Sequence, residues 1–335
     1  MNIHITNIEY LGGTAKMAQD GVTLAAREAL GAKKISVARR KFHDDYWNTI
    51  GHHIDGALAK LTYGDIVIHQ YPSHNSPDYD AVFINKVRCY RDVKLIIFVE
   101  DLLTLLYNNS PAVRREVEFF NNSDLLILPS IAEYNYLLDN GLRKDIPILY
   151  QQIWEMQGYP EFIYHDHIRR ICFSGNATRF PFLCEYNGRT MIDHFDGCEP
   201  ETYNKDSLTW KGFYEPHRLM KELSRGGYGL VWCDKEQFDL YYHMNQPHKL
   251  GFNLASGIPV IIREGAAHSD FIREHGLGFV VSSLDEADEL VQTTTDKQYQ
   301  EMIANVAKIQ HLSLRGIYTK RLLTEAVITL LENSN

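Results

Sequence analysis

Several common patterns are missing from this sequence, and each absence excludes a class of protein. Its 335 residues contain 34 Lys and Arg against 43 Asp and Glu, a net charge of −9, and the cations are dispersed along the chain. There is thus no basic stripe for nucleic-acid backbones, and we expect no nucleic-acid partner. The five cysteines are odd in number and form no Cys-x-x-Cys pair, which is typical of reduced thiols in a cytosol.

Long apolar segments are missing as well. The longest apolar run, residues 95–106, contains Glu100 and Asp101 and is too short to cross a bilayer. The first ten residues, MNIHITNIEY, have neither the basic start nor the apolar core of a secretory signal. We therefore expect a cytoplasmic protein without a membrane span.

The composition that remains, 44% hydrophobic and 23% charged residues, is that of an ordinary globular protein. At about 100–200 residues per domain, the length predicts two domains. In the first half, short β-branched runs alternate with segments of helical period. The predicted strands are 3–8, 35–38, 65–70, 93–99, 125–128 and 146–153, and the predicted helices are 15–28, 46–61, 78–91, 111–121 and 131–139.

A polar, aromatic linker at 157–168 is followed by a second alternation. Its predicted strands are 170–174, 190–195, 208–213, 229–232, 258–262 and 279–281, and its predicted helices are 216–225, 247–255, 269–275, 285–293, 299–311 and 317–331. Such alternation builds parallel sheets with helices on both faces. We predict an α/β fold of two Rossmann-like domains, 1–156 and 168–312, facing each other across a cleft. The amphipathic C-terminal helix in 317–335 packs back on the first domain or, alternatively, forms a subunit interface.

The segment 248–264, HKLGFNLASGIPVIIRE, is the most informative one. A helix opens on a cation, Lys249, and ends before Gly257, which we interpret as a left-handed C-cap ahead of a buried strand. Unpaired N–H groups and the helix dipole favour an anion at that opening turn, and a lysine there adds a full charge. We assign Lys249, with Leu250 and Asn253 of the same helix, to a phosphate-bearing donor site; the alternative is a solvated surface lysine.

A second cation follows the first strand of the second domain. The loop after this strand consists of Gly175 and the segment NATRFP, which begins at Asn176 and contains Arg179. We therefore expect this second cation at the same carboxyl edge of the sheet as Lys249. Parallel sheets bind ligands at this edge. A single arginine or lysine at such a position is most often part of a surface ion pair. Two of them at one edge of the sheet favour a diphosphate site instead. The loop 234–247 before the Lys249 helix is expected to select the donor sugar.

The loop after the first strand, LGGTAKMAQ, lacks the G-x-G-x-x-G of dinucleotide sites, so we do not expect NAD. Gly12 and Gly13 allow a tight turn and Thr14 is expected to cap the next helix. This loop is either a simple connector or a contact for a sugar or acceptor in the cleft.

Two further strand ends of the first domain carry polar residues, HQYPSHNSPDYD with His74 and FVEDL with Asp101. We predict that His74 lies in the cleft and contacts the acceptor or the cleft loop. Asp101 is a general base or, equally, a helix N-cap. The pairs His52-His53 and His165-Asp166-His167 have no further ligand at suitable spacing, and no Asp-x-Asp follows a predicted strand end, so we expect no metal.

The segments GDIVIHQYP, FVEDL, CFSGNATRFP, LSRGGYGLVW, HKLGFNLASGIPVII and HGLGFVV occur in this order. Over nearly its whole length the chain resembles the GT-B glucosyltransferases that extend the first N-acetylglucosamine on serine-rich repeat adhesins of Gram-positive bacteria. More loosely, it resembles galactofuranosyltransferase-like sugar transferases.

The resemblance implies UDP-sugar binding in the C-terminal domain, acceptor binding in the N-terminal domain, no cofactor or obligatory metal, and a homo-oligomer such as a tetramer. It implies diphosphate contacts for Arg179 and Lys249 and a cleft contact for the loop at 12–14. Similar enzymes often have His before the aspartate that matches Asp101, whereas this chain has Glu100.

We therefore predict a glycosyltransferase that moves a hexose, glucose or N-acetylglucosamine, from a UDP-sugar to N-acetylglucosamine on Ser or Thr of a serine-rich repeat protein. One alternative is a nucleotide-sugar epimerase of the same fold, which needs acid and base carboxylates around the sugar. The other is a non-catalytic GT-B-like partner or chaperone subunit, against which the presence of both cations argues.

Overall fold

The computed structural model describes residues 1–40, 46–107, 109, 112–163 and 166–332. The chain divides into two compact units. The first unit consists of Met1–Gln152 together with the chain from Gly316 onward, and the second unit is Ile153–Arg315. Within the described part of the chain, no helix combines the length and the apolar character that a membrane span requires.

The first unit is a parallel six-stranded sheet of order β2-β1-β3-β4-β5-β6. Its strands are β1 (Ile3–Glu9), β2 (Lys33–Ala38), β3 (Ile66–Tyr71), β4 (Lys94–Val99), β5 (Leu125–Leu128) and β6 (Ile148–Tyr150). Its helices are α1 (Gly13–Leu30), α2 (Tyr46–Leu58), α3 (Pro77–Val87), α4 (Leu103–Leu106), α5 (Val113–Phe120), α6 (Ile131–Asp139) and α14 (Ile317–Glu332). The interior strands β3 and β5 are buried along their whole length, as expected when helices cover both faces of a parallel sheet.

The second unit repeats this plan with the order β12-β11-β10-β7-β8-β9, again parallel. Its strands are β7 (Asp166–Ser174), β8 (Met191–Phe195), β9 (Leu208–Trp210), β10 (Gly226–Val231), β11 (Val260–Arg263) and β12 (Gly278–Val281). Its helices are α7 (Phe182–Glu185), α8 (Pro216–Leu223), α9 (Asp239–Met244), α10 (His248–Ala255), α11 (Ser269–His275), α12 (Leu284–Thr293) and α13 (Asp296–Ser313). The strand order reverses between β7 and β10, and ligands of such sheets bind where that reversal occurs.

The C-terminal helix α14 packs on α1, both in the first unit. Its buried stripe includes Leu322, Leu323, Ala326, Val327 and Leu330. An ion pair of 2.7 Å between Lys320 and Glu28 lies beside this contact. The stripe that the sequence pattern requires to be buried is therefore covered within the same chain.

Several predicted segment bounds differ from the structure, and those of the linker and of the last strand of the first half are wrong. The predicted linker 157–168 overlaps β7, which begins at Asp166 because this residue pairs with Gly226. A Cβ at position 226 would lie 1.8 Å from the Asp166 carbonyl oxygen, so the close approach requires glycine. The predicted strand 146–153 is reduced to the three residues of β6.

Candidate active site

The donor-site lysine stands at the start of α10, as the sequence predicts. Pro247 is the N-cap residue and Lys249 is the second helical residue. The helix lies tightly against the chain at Trp154, since a Cβ on Gly251 would be 1.8 Å from the Trp154 carbonyl oxygen. At its other end Gly257 has φ of 81°, the left-handed conformation expected just after a helix.

A tight turn after β7 positions the second cation. The Asn176 side-chain oxygen accepts a hydrogen bond of 2.8 Å from the Thr178 amide, and its carbonyl accepts from the amides of Arg179 and Phe180. A Cβ on Gly175 would come within 2.9 Å of the Phe180 ring. Glycine at 175 therefore lets Phe180 fold back against the end of β7.

The two cations lie around one aromatic ring. The Lys249 ammonium is 4.2 Å from the centre of the Phe180 ring and 5.3 Å from that of Phe173. The Arg179 guanidinium is 5.6 Å from the centre of Phe180, 5.0 Å from that of Phe238 and 6.0 Å from that of Tyr241. Aromatic faces thus hold both cations through cation–π contacts.

Neither cation is neutralised by a carboxylate at ion-pair distance within the described residues. The Arg179 Nε atom is buried and has no hydrogen-bond acceptor there either. Burial, and then the positive charge of Arg179, lowers the pKa of Lys249 to about 7. Two like charges without a counter-ion favour the binding of an anion with at least two negative charges at this edge of the sheet.

The other residues assigned to the donor site have different surroundings. Leu250 is fully buried, and Asn253 is 6% exposed and packs against the backbone of Gly229 in β10. The Asn176 amide nitrogen donates to Asp196 at 3.3 Å. Donor contacts by Leu250, Asn253, Gly175 and Asn176 therefore stay predictions, and the structure shows packing and turn formation for them.

A residue that the sequence analysis did not single out supports the turn. His194, at the end of β8, donates from Nε2 to the Gly175 carbonyl at 2.7 Å. Burial lowers the pKa of His194, so the neutral ring is favoured. The Gly175–His194 hydrogen bond fixes the start of the Arg179 turn, and only the pairing of β7 with β8 brings the two residues together.

The segment predicted as a plain loop before α10 is more ordered than expected. Residues 234–247 contain a 3-10 turn, Glu236–Phe238, and the helix α9. These elements place Phe238 and Tyr241 under Arg179.

In the first unit, Gly12 is the N-cap residue of α1, and glycine has no side chain that could accept from the first amides of this helix. Thr14 lies inside the helix, so its predicted capping role is wrong: the helix begins at Gly13, whose φ of 77° glycine accommodates readily. Gly12, Gly13 and Thr14 are all exposed. A ligand contact by this loop stays a prediction.

His74 lies in the loop after β3 with φ of 55°. Burial lowers its pKa, and its Nε2 atom is buried without a partner among the described residues. The preceding amide of Ser73 donates to Asp80, which also pairs with His69 at 3.0 Å. The loop is thus anchored, and the role of His74 in the cleft stays a prediction.

Asp101 lies two residues after the end of β4 and is partly exposed. Its predicted N-cap alternative is wrong, because α4 begins at Leu103 and Leu102 is the N-cap residue. The Glu116 carboxylate accepts instead from the amides of Leu103 at 2.8 Å and Thr104 at 3.2 Å. This leaves the general-base assignment of Asp101 as a prediction.

The neighbour Glu100 is 3% exposed. Burial, and then the charge of Asp101, raises the pKa of Glu100 well above its usual value. One of its carboxyl oxygens lies 3.4 Å from the Gln19 amide nitrogen. A neutral Glu100 is therefore favoured beside Asp101.

Among the residues that the structure describes, no three or more His, Cys, Asp or Glu side chains are grouped as a metal site. His167 pairs with Asp296 at 2.7 Å and stacks on Tyr299, and His165 lies outside the described residues. His52 and His53 line a cavity of about 280 Å³ next to β2.

Comparison with known proteins gives a consistent answer for both units. Residues 2–153 match the family model described as "Glucosyltransferase 3-like, N-terminal domain", and residues 171–326 match its C-terminal counterpart. The chain is 33% identical to Glucosyltransferase 3 of Streptococcus gordonii over 99% of this chain and 100% of that protein. It is also 26% identical to the beta-1,6-galactofuranosyltransferase WbbI of Escherichia coli K12 over 81% of each chain.

Solved structures show the same fold at low identity. A sucrose-phosphate synthase from Thermosynechococcus elongatus has a TM-score of 0.64 at 12% identity, with 99% of both chains covered. A trehalose-6-phosphate synthase, OtsA, has a TM-score of 0.67 at 9% identity, with 97% of this chain and 98% of that one covered. Both units and the full-length relatives agree, and the chain therefore belongs to the glucosyltransferase 3-like family and is a glycosyltransferase with the GT-B fold.

Proposed function

We propose that this glycosyltransferase moves glucose from UDP-glucose to N-acetylglucosamine attached to Ser or Thr of a serine-rich repeat adhesin. The observation that carries the proposal is the pair of uncompensated cations, Arg179 and Lys249, around the Phe180 ring. A relative named Glucosyltransferase 3 supports glucose as the sugar. A structural neighbour that is described as bound with UDP-2-fluoro glucose supports a UDP-sugar.

The chemistry follows from the charge of the leaving group. The bond between the anomeric carbon and the UDP oxygen breaks, a bond from that carbon to the acceptor hydroxyl oxygen forms, and the hydroxyl proton goes to a base. UDP leaves with one more negative charge than it had as part of the donor. Arg179 and Lys249 would therefore stabilise the transition state more than the bound donor, which is the condition for catalysis.

We assign the acceptor to the first unit and the base to Asp101. Asp101 is at the carboxyl edge of the first sheet, the edge at which such sheets bind ligands. Burial raises the pKa of the adjacent Glu100 well above its usual value, which favours the neutral form of that carboxyl beside Asp101. We further propose that the enzyme works in the cytoplasm as a homo-oligomer, which light scattering of the purified chain tests.

The deciding experiment is a donor panel. The protein is incubated with UDP-glucose, UDP-N-acetylglucosamine or UDP-galactose together with a GlcNAc-bearing Ser/Thr-rich peptide, and product masses are measured. We expect one hexose to be added from UDP-glucose. The matched control is the same peptide without GlcNAc, which should gain no mass.

The two alternative functions give different results in this assay. An epimerase would convert the UDP-sugar into an isomer without any change in the peptide. A non-catalytic partner subunit would bind the glycopeptide and leave both donor and peptide unchanged. Transfer of N-acetylglucosamine in place of glucose would overturn the donor assignment alone.

A further inference from the structure

A cavity of about 280 Å³ lies at the carboxyl end of β2, an edge strand of the first sheet. Its walls come from β2, α2 and the first turn of α3. They include Ala38 at the end of β2, Arg40 just beyond it, His52 and Gly56 of α2, and Tyr79 of α3. Neither the proposed donor site nor the proposed base includes any of these residues, so the cavity has no role yet.

The charged side chain in the wall of this cavity is Arg40. Its guanidinium acts on His53, another residue of the wall: burial, and then the charge of Arg40, lowers the pKa of His53. The carboxylates of Glu9 on β1 and Asp55 on α2 are already paired with lysines, at 2.6 and 2.8 Å. Within the described part of the chain, no carboxylate lies at ion-pair distance from Arg40. The cavity therefore presents a cation that can bind an anionic group.

Backbone contacts hold Arg40 at the cavity. The amide of the preceding Arg39 donates to the Glu9 carbonyl at 3.0 Å, which continues the pairing of β2 with β1 beyond the strand. The Arg40 amide donates to the side-chain oxygen of Asn75, in the loop after β3, at 3.1 Å. The guanidinium is exposed, but the backbone from which it extends is fixed by two neighbouring elements.

A glycine in α2 leaves space at the cavity. Gly56 lies inside this helix, where glycine is less favourable than alanine. A Cβ at position 56 would have no atom within 4 Å, so packing within the chain does not require glycine there. Glycine does, however, let a ligand approach the helix backbone closely, and Gly56 lines the cavity.

The size and the position of the cavity fit one side chain of an extended peptide. Its volume is slightly below the about 300–1,000 Å³ of sites that hold a whole small molecule. Arg40 lies two residues after β2, and Asp101 lies two residues after β4 at the same edge. In the order β2-β1-β3-β4, three strand spacings of about 4.8 Å separate them, or about 14 Å. An extended peptide covers this distance with about four residues.

We propose that the cavity binds a carboxylate of the acceptor peptide, on an Asp or Glu about four residues from the modified Ser or Thr, with the Arg40 guanidinium as its charged partner. The His52 ring supplies a further N–H donor. This inference rests on the proposed function, because it assumes a glycopeptide whose sugar lies at Asp101. It assigns selection of the peptide sequence to residues that do not contact the sugars.

The test is a panel of GlcNAc-bearing Ser/Thr-rich peptides with a single Glu at successive positions on either side of the modified serine. Each peptide has a matched peptide with Gln at the same position. With UDP-glucose as donor, we expect kcat/KM to be about fivefold higher for Glu than for Gln at about four residues on one side of the serine. High salt should reduce this preference, because it screens the contact.

Variants of the cavity test the assignment of this preference. Arg40→Gln should reduce the Glu-to-Gln ratio of kcat/KM to about one. Arg40→Glu should favour a peptide with Lys at that position, a reversal that a folding defect cannot produce. Gly56→Met should also lower the ratio, because its side chain would occupy the cavity. Lys33→Gln is the matched control, since Lys33 is exposed at the opposite end of β2, and it should keep the wild-type ratio.

Equal kcat/KM for Glu and Gln peptides at every position would overturn the carboxylate site. An equal loss of preference in Lys33→Gln and Arg40→Gln, or a preference for Glu that persists in Arg40→Glu, would overturn it as well. Failure of the wild-type protein to transfer glucose to any GlcNAc-bearing peptide would instead overturn the proposed function.

Discussion

The ammonium of Lys249 lies 4.2 Å from the centre of the Phe180 ring, and the residue after Arg179 in the chain is this same Phe180. The ring is therefore shared by two cations 70 positions apart in the chain, one in the turn after β7 and the other in the first turn of α10. Aromatic rings attract cations without supplying a formal negative charge. The positive charge is thus held in place and remains available to a ligand.

Loss of either cation should weaken donor binding. We expect Arg179→Ala and Lys249→Ala each to reduce UDP affinity by about 1.5–3 kcal/mol, the value of a charge-assisted hydrogen bond, while the melting temperature stays near that of the wild type. Calorimetry measures this directly. Arg225→Ala and Lys308→Ala are matched controls, since both cations are exposed and lie outside the Phe180 cluster. Unchanged UDP affinity in both test variants would remove the diphosphate site.

Donor affinity should depend on pH through Lys249. Its pKa of about 7 in the free protein rises when the diphosphate binds, so Lys249 is already charged below pH 7 and must take up a proton above it. Affinity for UDP-glucose should be constant below about pH 7 and fall by up to about tenfold per pH unit above it.

The control is Lys249→Arg, since a guanidinium stays charged throughout this range. Its UDP-glucose affinity should not vary with pH even if it is weaker overall. Calorimetry in two buffers of different ionisation enthalpy should detect proton uptake by the wild type at about pH 8 and none by the variant. A flat wild-type profile would contradict the lowered pKa.

Activity should survive chelation of divalent metals. Two cations can neutralise the departing diphosphate, and the Asp-x-Asp pattern in the chain, Asp78 and Asp80, lies on α3 with its carboxylates paired to Arg115 and His69. Turnover should be equal with and without EDTA. Activity that disappears with the chelator and returns with manganese or magnesium would show that the cations are insufficient.

Charges in the buried stripe of α14 should unfold the first unit. Leu323 is 0% and Val327 6% exposed, so Leu323→Asp with Val327→Asp introduces two unpaired carboxylates into an apolar contact, at a cost of about 3–5 kcal/mol. The melting temperature reports the effect. Ile328→Asp with Leu331→Asp is the matched control, because these residues of the same helix are 49% and 44% exposed.

The outcome also separates docking from subunit assembly. A destabilised or aggregated stripe variant supports the intramolecular contact with α1. A folded, monomeric stripe variant beside larger wild-type particles would instead place this stripe between subunits. If the exposed-face control remains folded but forms smaller particles, the outer face of α14 is the interface between subunits.

Much of the fold could be predicted from local sequence patterns. The bounds of β5 and α11 agree residue for residue with the predicted segments 125–128 and 269–275, because apolar runs and helix ends are encoded by neighbouring residues. The proximity of Arg179 and Lys249 could be predicted as well, because the segments that follow parallel strands lie at one edge of the sheet.

The features that could not be predicted depend on contacts distant in sequence. Glu116 replaces Asp101 as the acceptor at the start of α4, and no spacing rule connects a helix start with a carboxylate on the next helix. The contacts of Phe238 and Tyr241 with Arg179 likewise arise only when α9 folds under the turn after β7. The need for glycine at position 226, which lets β7 begin at Asp166, can be explained only once the pairing of β10 with β7 is known.

The division of the chain at Gln152 and Gly316 makes the second unit an insertion within the first. Its entering and leaving segments lie side by side, as the Met156 amide donates to the Ser313 hydroxyl and the Gly158 amide lies 3.4 Å from the Leu314 carbonyl. Replacing residues 153–315 by a short flexible linker would therefore reconnect the two parts of the first unit without stretching the chain. The enzyme can thus be separated genetically into a continuous piece carrying the two cations and a shortened chain carrying Asp101.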